Sequence, residues 1–377
     1  MMRFSVLLIC LALLGSCVQA RDLDQIERLR LLDTIRQVHN AQQNTGFVFG
    51  MTENGKTVLS DFAGLAVVEH EIQIQPDHRF PVMSITKAIA GLALATAVTA
   101  ELVDLNTPVS TYLPDYAGEG ADTITLRHLA THLSGVPHLG HPARRNLYVQ
   151  HFPDAASSRH VYEALPLNFQ PGSDYGYSSS GYNLIATIIE ARAGQNYQAY
   201  VREKVLEPLG LEQMDFNNVL VPTPGLVRNY SFVDVFAQPW QAASELQLVP
   251  TWDFSYNHGG GNMYASAADL LALGNALLDR SGLDEPIWDV ALERSPQTVD
   301  TSPWSLGWIH GKDAQGRRTI YITGATPGVQ AALYVYPEQR IVFAALANSW
   351  GKNSAGADLV IGAPQRIVNE YLSGAAP

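Results

Sequence analysis

Strand-forming segments occupy the two ends of this chain, and helix-forming segments fill the long stretch between them. Gly46–Gly50 and Thr57–Leu59 are short apolar runs joined through Glu53-Asn54-Gly55, and an Asn-Gly pair suits a tight hairpin turn. Toward the other end, Thr319–Thr323, Ala331–Tyr336 and Ile341–Leu346 are rich in β-branched and aromatic residues, and Pro337–Arg340 turns the last pair. Strands this far apart in sequence bury their apolar faces by meeting in one layer. The pattern therefore predicts an α+β architecture: an antiparallel sheet flanked by helices, with a mainly helical region inserted. The sheet region covers about 21–90 and 300–377, and the helical region about 91–299.

Helical periodicity is clearest in five places. Leu31, Ile35 and Val38 share a face of a segment from Asp22 to His39. An Ala- and Leu-rich helix is expected from about Ser84 to Ala100, and Ile124–Ala130 opens a short one. Leu184, Ile185, Ile188 and Ile189 make an apolar stripe. Ser266 and Asp269 form a capping box ahead of Leu270 and Leu271. A closing helix fits about Gly356 to Leu372. Residues 216–262 form a long irregular stretch holding Tyr230, Phe232, Trp240, Trp252, Phe254 and Tyr256; it reads equally as a functional loop or a core-covering flap.

The chain is 46% hydrophobic and 16% charged, which suits one large domain or two intimate ones. Its net charge of −12 argues against nucleic acid and anionic lipid as partners, since phosphate binding needs a basic surface. Arg3, the apolar run Val6–Leu14 and the small-residue site Val18-Gln19-Ala20 read as a signal peptide over residues 1–20. That run is short for a membrane span, and no second run reaches spanning length, so no transmembrane span is expected in the mature chain. Leu14-Gly15-Ser16-Cys17 resembles a lipobox, which leaves a lipid anchor at Cys17 open beside cleavage after Ala20. The expected location is periplasmic or secreted. Cys10 and Cys17 are the only cysteines, so the body of the chain holds no disulfide and no thiolate metal site.

The chemistry centres on Ser84-Ile85-Thr86-Lys87. Positions i and i+3 of a helix share a face, so serine and lysine can touch. A serine hydroxyl becomes a useful nucleophile only when a neighbour takes its proton. At a helix start, its free N–H can also stabilise an oxyanion. Alone, the same spacing more often marks a helix-capping serine and an exposed lysine. Two later segments add weight: Pro171–Leu184, containing Tyr177-Ser178-Ser179, and Ile322-Thr323-Gly324-Ala325-Thr326-Pro327-Gly328. With Ile124–Pro137 and the glycine-rich Gly259–Ser266, they resemble the motifs of the class C β-lactamase-like, penicillin-binding-protein-like serine hydrolase family.

That resemblance runs from about Gly46 to Asn348 and implies the β-lactamase/transpeptidase-like fold. It makes Ser84 the acylated serine, Lys87 its proton-transfer partner and Tyr177 the tyrosine that shares the proton, with the identity of the base left open. It places the oxyanion hole at the backbone N–H groups of Ser84 and Ala325, and substrate binding at Ser179, Thr323 and Gly324. It implies no metal and no organic cofactor. Two positions depart from the family. Ser179 replaces the usual asparagine and has shorter reach. Ile322 replaces a lysine or histidine that often grips a substrate carboxylate. The expectation is an exported serine hydrolase that acts through a covalent acyl-enzyme on a small-molecule or peptide substrate, an ester or a neutral amide. A β-lactamase or D-alanyl-D-alanine carboxypeptidase remains an alternative, as does a non-catalytic protein that binds peptidoglycan or a partner.

The histidines carry weaker expectations. His128 and His132 have a helical spacing that can bind metal, although no acidic partner sits between them. His138 and His141 are placed to line the cleft, His258 is a further candidate, and His310 is a conceivable substitute for the cation missing at Ile322.

Overall fold

The computed structural model describes residues 23–42, 45–139, 146–237, 241–294, 302–350 and 362–374. The expected signal segment with Cys10 and Cys17, together with His141, Trp240 and the start of the expected closing helix, lies outside these residues. Among the described residues no helix is long and apolar enough to cross a membrane.

The main sheet has seven strands: β1 (Gly46–Glu53), β2 (Lys56–Val67), β3 (Ile72–Gln73), β4 (Ile309–Lys312), β5 (Arg318–Thr326), β6 (Val329–Tyr336) and β7 (Ile341–Ala347). Their order is β3-β2-β1-β7-β6-β5-β4, and every neighbouring pair is antiparallel. The two ends of the chain meet where β1 pairs with β7, from Phe47 opposite Ala347 to Glu53 opposite Ile341. Asn54 and Gly55 turn the first hairpin, both at positive φ (52° and 76°), which is the backbone a two-residue hairpin of this hand requires.

Both faces of the sheet are covered, which explains why β7 is a continuous apolar run rather than an alternating one. Ile341, Phe343 and Ala345 enter one core, and Val342, Ala344 and Leu346 enter the other. The outer core is closed by α1 (Gln25–Gln42), through Leu31 and Ile35, and by the C-terminal helix Ala363–Ser373, through Ile367, Val368 and Tyr371. The inner core is larger. It holds α2 (Thr86–Thr99), α3 (Ser179–Ala193), α4 (Ala267–Asp279) and α5 (Glu285–Leu292).

Helix α2 carries apolar residues on every side, with Lys87 its one charge, and is almost wholly buried, as such a helix must be. Its small residues let backbone approach: a Cβ on Gly91 would fall 1.8 Å from the Leu306 carbonyl oxygen. The expected capping box starts α4, with the Asp269 N–H donating to Ser266 Oγ (3.1 Å) and the Ser266 N–H donating to Asp269 Oδ2 (3.0 Å). The stretch 216–262 divides its roles. Tyr230–Asp234 and Gln241–Leu248 form a hairpin, while Trp252, Phe254 and Tyr256 are buried in the inner core.

Candidate active site

Ser84 lies in a single 3₁₀ turn, Met83–Ile85, that leads into α2. The segment before it is pinned as an edge. Phe80 and Pro81 pair with Ala265 and Tyr264, and the Val82 N–H donates to the Met263 carbonyl at 2.9 Å. Met83 is held at φ 46°, a left-handed conformation that is costly for a bulky side chain and that persists only when its surroundings impose it. The turn leaves Ser84 partly open while Val82, Met83 and Ile85 are buried.

Lys87 follows one helical turn later and is fully buried. Its Nζ donates to the Gly260 carbonyl (2.6 Å), to Ser179 Oγ (2.9 Å) and to Ser84 Oγ (3.3 Å). The same nitrogen lies 4.8 Å from the Tyr177 ring centre and 5.5 Å from that of Tyr182. A buried ammonium is tolerated only when its donors and its charge are both answered, and here three acceptors and two π faces do so. Gly260 had no role in the sequence reading beyond its glycine-rich turn. Its carbonyl is nonetheless the shortest of the three Lys87 contacts.

Tyr177 comes from the loop ahead of α3. Ser178 is the extended N-cap of that helix, its Oγ accepting from the Gly181 N–H at 3.0 Å, and the Tyr177 ring just ahead of it lies against Lys87 of α2. The Tyr177 hydroxyl lies 2.6 Å from Ser84 Oγ. Burial by itself would raise the phenol's pKa. The charge of Lys87 and hydrogen bonds involving Lys87, Ser84 and Ser179 outweigh it, and the phenol titrates below its ordinary value.

These groups open onto a cavity of about 150 Å³ whose walls include Ser84, Tyr177, Ser179, Ala325 and the aromatic rings of Tyr256 and Trp350. Strand β5 forms one side. Gly324 packs on the nucleophile segment, where a Cβ would come 3.0 Å from the Ser84 nitrogen. Ser84, Lys87, Tyr177, Ser179, Gly324 and Ala325 are thus brought together. Thr323 is not. It pairs with Ala332, which belongs to the outer core, and so points to the sheet face away from Ser84. The alternation of a strand decides this, and the residue that reaches the cleft beyond Ala325 is Thr326.

Ile322 faces the inner core with no exposure, so its side chain presents no charge to a substrate. His310 does not supply the missing cation. It hydrogen-bonds Ser305 Oγ at 3.0 Å, and burial lowers its pKa to about 4. His258 is likewise structural, bonded to Gln198 and to the Phe152 carbonyl and lowered by burial to about 4. His128 and His132 do not share a helix face. The helix Leu126–Ala130 ends before His132, whose φ is 62°, and the His128 Nδ1 accepts from the Thr125 N–H in a capping box. His138 lines the cleft.

The family model described as Beta-lactamase matches residues 31–362. Among curated proteins, the chain is 25% identical over 313 residues to the human mitochondrial serine beta-lactamase-like protein LACTB, covering 65% of this chain and 55% of that protein. It therefore spans little more than half the length of that relative. It is 27% identical over 320 residues to esterase EstB of Burkholderia gladioli, covering 78% of this chain and 81% of the esterase. Among solved structures, the D-amino acid amidase from Ochrobactrum anthropi superposes with a TM-score of 0.75 at 19% identity, over 92% of this chain and 98% of the amidase. That superposition establishes the expected β-lactamase/transpeptidase-like fold.

Proposed function

The chain belongs to the Beta-lactamase family, and from that premise we propose that it is a serine hydrolase that forms an acyl-enzyme on Ser84. The observation that carries this reading is the 2.6 Å contact between Ser84 Oγ and the Tyr177 hydroxyl, with Lys87 Nζ 3.3 Å from the same serine.

The Gly260 carbonyl can only accept, so Lys87 donates to it, and beside Lys87 the Tyr177 phenol titrates below its ordinary value. This supports Lys87 as donor and electrostatic partner, and Tyr177 as the base. Ser84 Oγ attacks the substrate carbonyl carbon while its proton passes to the Tyr177 oxygen. The backbone N–H groups of Ser84 and Ala325 receive the developing oxyanion. Tyr177 then returns the proton to the leaving group, and the acyl–Ser84 ester forms as the carbonyl–leaving-group bond breaks. In the second half water attacks the acyl carbon as its proton passes to Tyr177, and Tyr177 returns that proton to Ser84 Oγ as the acyl–Ser84 bond breaks and the acid leaves.

The lack of a cation at Ile322 and the aromatic residues lining the cleft support an uncharged substrate site, hence an ester or neutral amide rather than a substrate gripped by its carboxylate. We include export in the proposal, on the strength of the apolar run at Val6–Leu14.

Intact-protein mass after exposure to a fluorophosphonate and, separately, to benzylpenicillin tests the reading, with Ser84→Ala as control. A fluorophosphonate adduct absent from the control supports it, and no adduct on the wild type would sink it. A lasting penicilloyl adduct would redirect the substrate class toward penicillin binding.

A further inference from the structure

Tyr177 is held from both sides in sequence by one residue. The His132 carbonyl accepts from the Gly176 N–H at 3.0 Å, and His132 Nδ1 accepts from the Ser178 N–H at 3.1 Å. The imidazole also packs on the Tyr177 ring, with centroids 4.5 Å apart. His132 is fully buried and keeps a positive φ of 62°, a conformation that histidine, asparagine and aspartate adopt more readily than most side chains. One residue further along, the Ser179 N–H donates to Nδ1 of the exposed His138 at 3.3 Å, and the His138 ring stands at 62° to Tyr177.

We propose that His132 is a positioning residue for the proton-transfer step, clamping residues 176–178 so that the Tyr177 hydroxyl stays on Ser84, with His138 as a weaker outer support. The inference rests on the reading of Tyr177 as the base.

The clamp requires one tautomer. Nδ1 can accept from Ser178 only when it carries no proton, so the proton resides on Nε2. That atom has no hydrogen-bond partner among the described residues, and the ring stands at 87° to Trp304 with centroids 4.5 Å apart. The titratable groups facing His132 are Lys87 on α2, Tyr175 and Tyr177 in the loop, Tyr182 on α3, and His138. Burial first, then Lys87 and His138, hold the imidazole neutral. A second proton would place a donor against the Ser178 N–H and open the clamp.

The test compares His132→Asn, which keeps an acceptor near the Nδ1 position and tolerates the positive φ, with His132→Leu, which keeps bulk and loses the acceptor. The pH dependence of the fluorophosphonate labelling rate is followed, normalised to folded protein. Tyrosinate absorbance, corrected with Tyr177→Phe, gives the Tyr177 titration. His132→Leu is expected to label about 10 to 100 times more slowly, with Tyr177 titrating higher as it drifts from Lys87, while His132→Asn stays within about threefold of wild type. His138→Asn is expected to have a smaller effect than His132→Leu.

Wild-type labelling and an unmoved Tyr177 titration in folded His132→Leu would overturn the proposal. Should that variant not fold, nitrogen-15 spectra of the wild-type histidines decide instead: a protonated Nδ1 on His132 at neutral pH is incompatible with the clamp. If the wild type is not labelled at all, the acyl-transfer reading falls, while the tautomer and the Tyr177 titration still judge the positioning role.

Discussion

Gly324 stands so close to Val82 that a Cβ on it would lie 2.0 Å from the Val82 carbonyl oxygen. Strand β5 can therefore lie flat on the segment that carries Ser84 only because this position has no side chain. Gly324→Ala is expected to push β5 from Val82–Ser84, costing about 1–3 kcal/mol of stability by overpacking. The same displacement is expected to slow acylation about 100-fold, because a shift of about 1 Å at the reacting atoms has that effect. Urea denaturation and labelling kinetics on one preparation would check both.

Gly307 supports the site from the other side. It sits at φ 82°, and a Cβ there would fall 2.0 Å from the carbonyl oxygen of Lys87. Gly307→Ala combines a strained backbone with a clash against α2. We expect a loss of at least about 2 kcal/mol, read as a lowered denaturation midpoint with unchanged m, and slower labelling because Lys87 shifts with its helix.

Removing the buried charge separates stability from activity. Lys87→Met leaves the Gly260 carbonyl without its donor, a cost of about 1–3 kcal/mol. It also removes the desolvation penalty of a buried ammonium, which acts in the opposite direction and is of order several kcal/mol for one ion. The two offset each other, so stability is expected within about 2 kcal/mol of wild type, while acylation falls about 10² to 10⁴-fold. Tyr177 should titrate higher in this variant, since the nearby charge that lowers it is gone. Denaturation curves and tyrosinate absorbance measure the two effects separately.

The chain should lose stability in mild acid. His39, His258 and His310 are lowered to about 4, and His132 is lowered further in the same direction, each by burial first. Above the ordinary histidine value near 6.5 both states are neutral, and the full stability is present. As pH falls from about 6.5 to 4 the unfolded chain takes up protons that the native chain does not, and stability declines. Each such histidine contributes at most about 1.4 kcal/mol per pH unit. Glu190, raised by burial, acts with the opposite sign at its own site. Denaturation midpoints that stay flat between pH 6.5 and 4 would contradict this expectation.

Short-range order was legible in the sequence. The hairpin at Asn54-Gly55, the capping box of Ser266 and Asp269, and the turn that puts Ser84 beside Lys87 all depend on residues a few positions apart, where backbone sterics and hydrogen bonding decide locally. The apolar runs at both ends likewise foretold one sheet with a helical insertion, because exposed strand faces must be covered. Tertiary structure alone decided what those local pieces meet. Tyr177 lies 93 positions from Ser84, and the family resemblance, not periodicity, pointed to their meeting; Gly260 lies 173 from Lys87, and nothing in the sequence pointed to that contact. Thr323 and Gly324 are neighbours in a motif, yet strand alternation sends one to the outer core face and the other against the nucleophile. His132 looked like one of a helical pair with His128, until the end of the helix at Ala130 turned it toward Tyr177 instead. The sequence determined which groups could do the chemistry, and packing, which is set by the whole core at once, decided which of them touch.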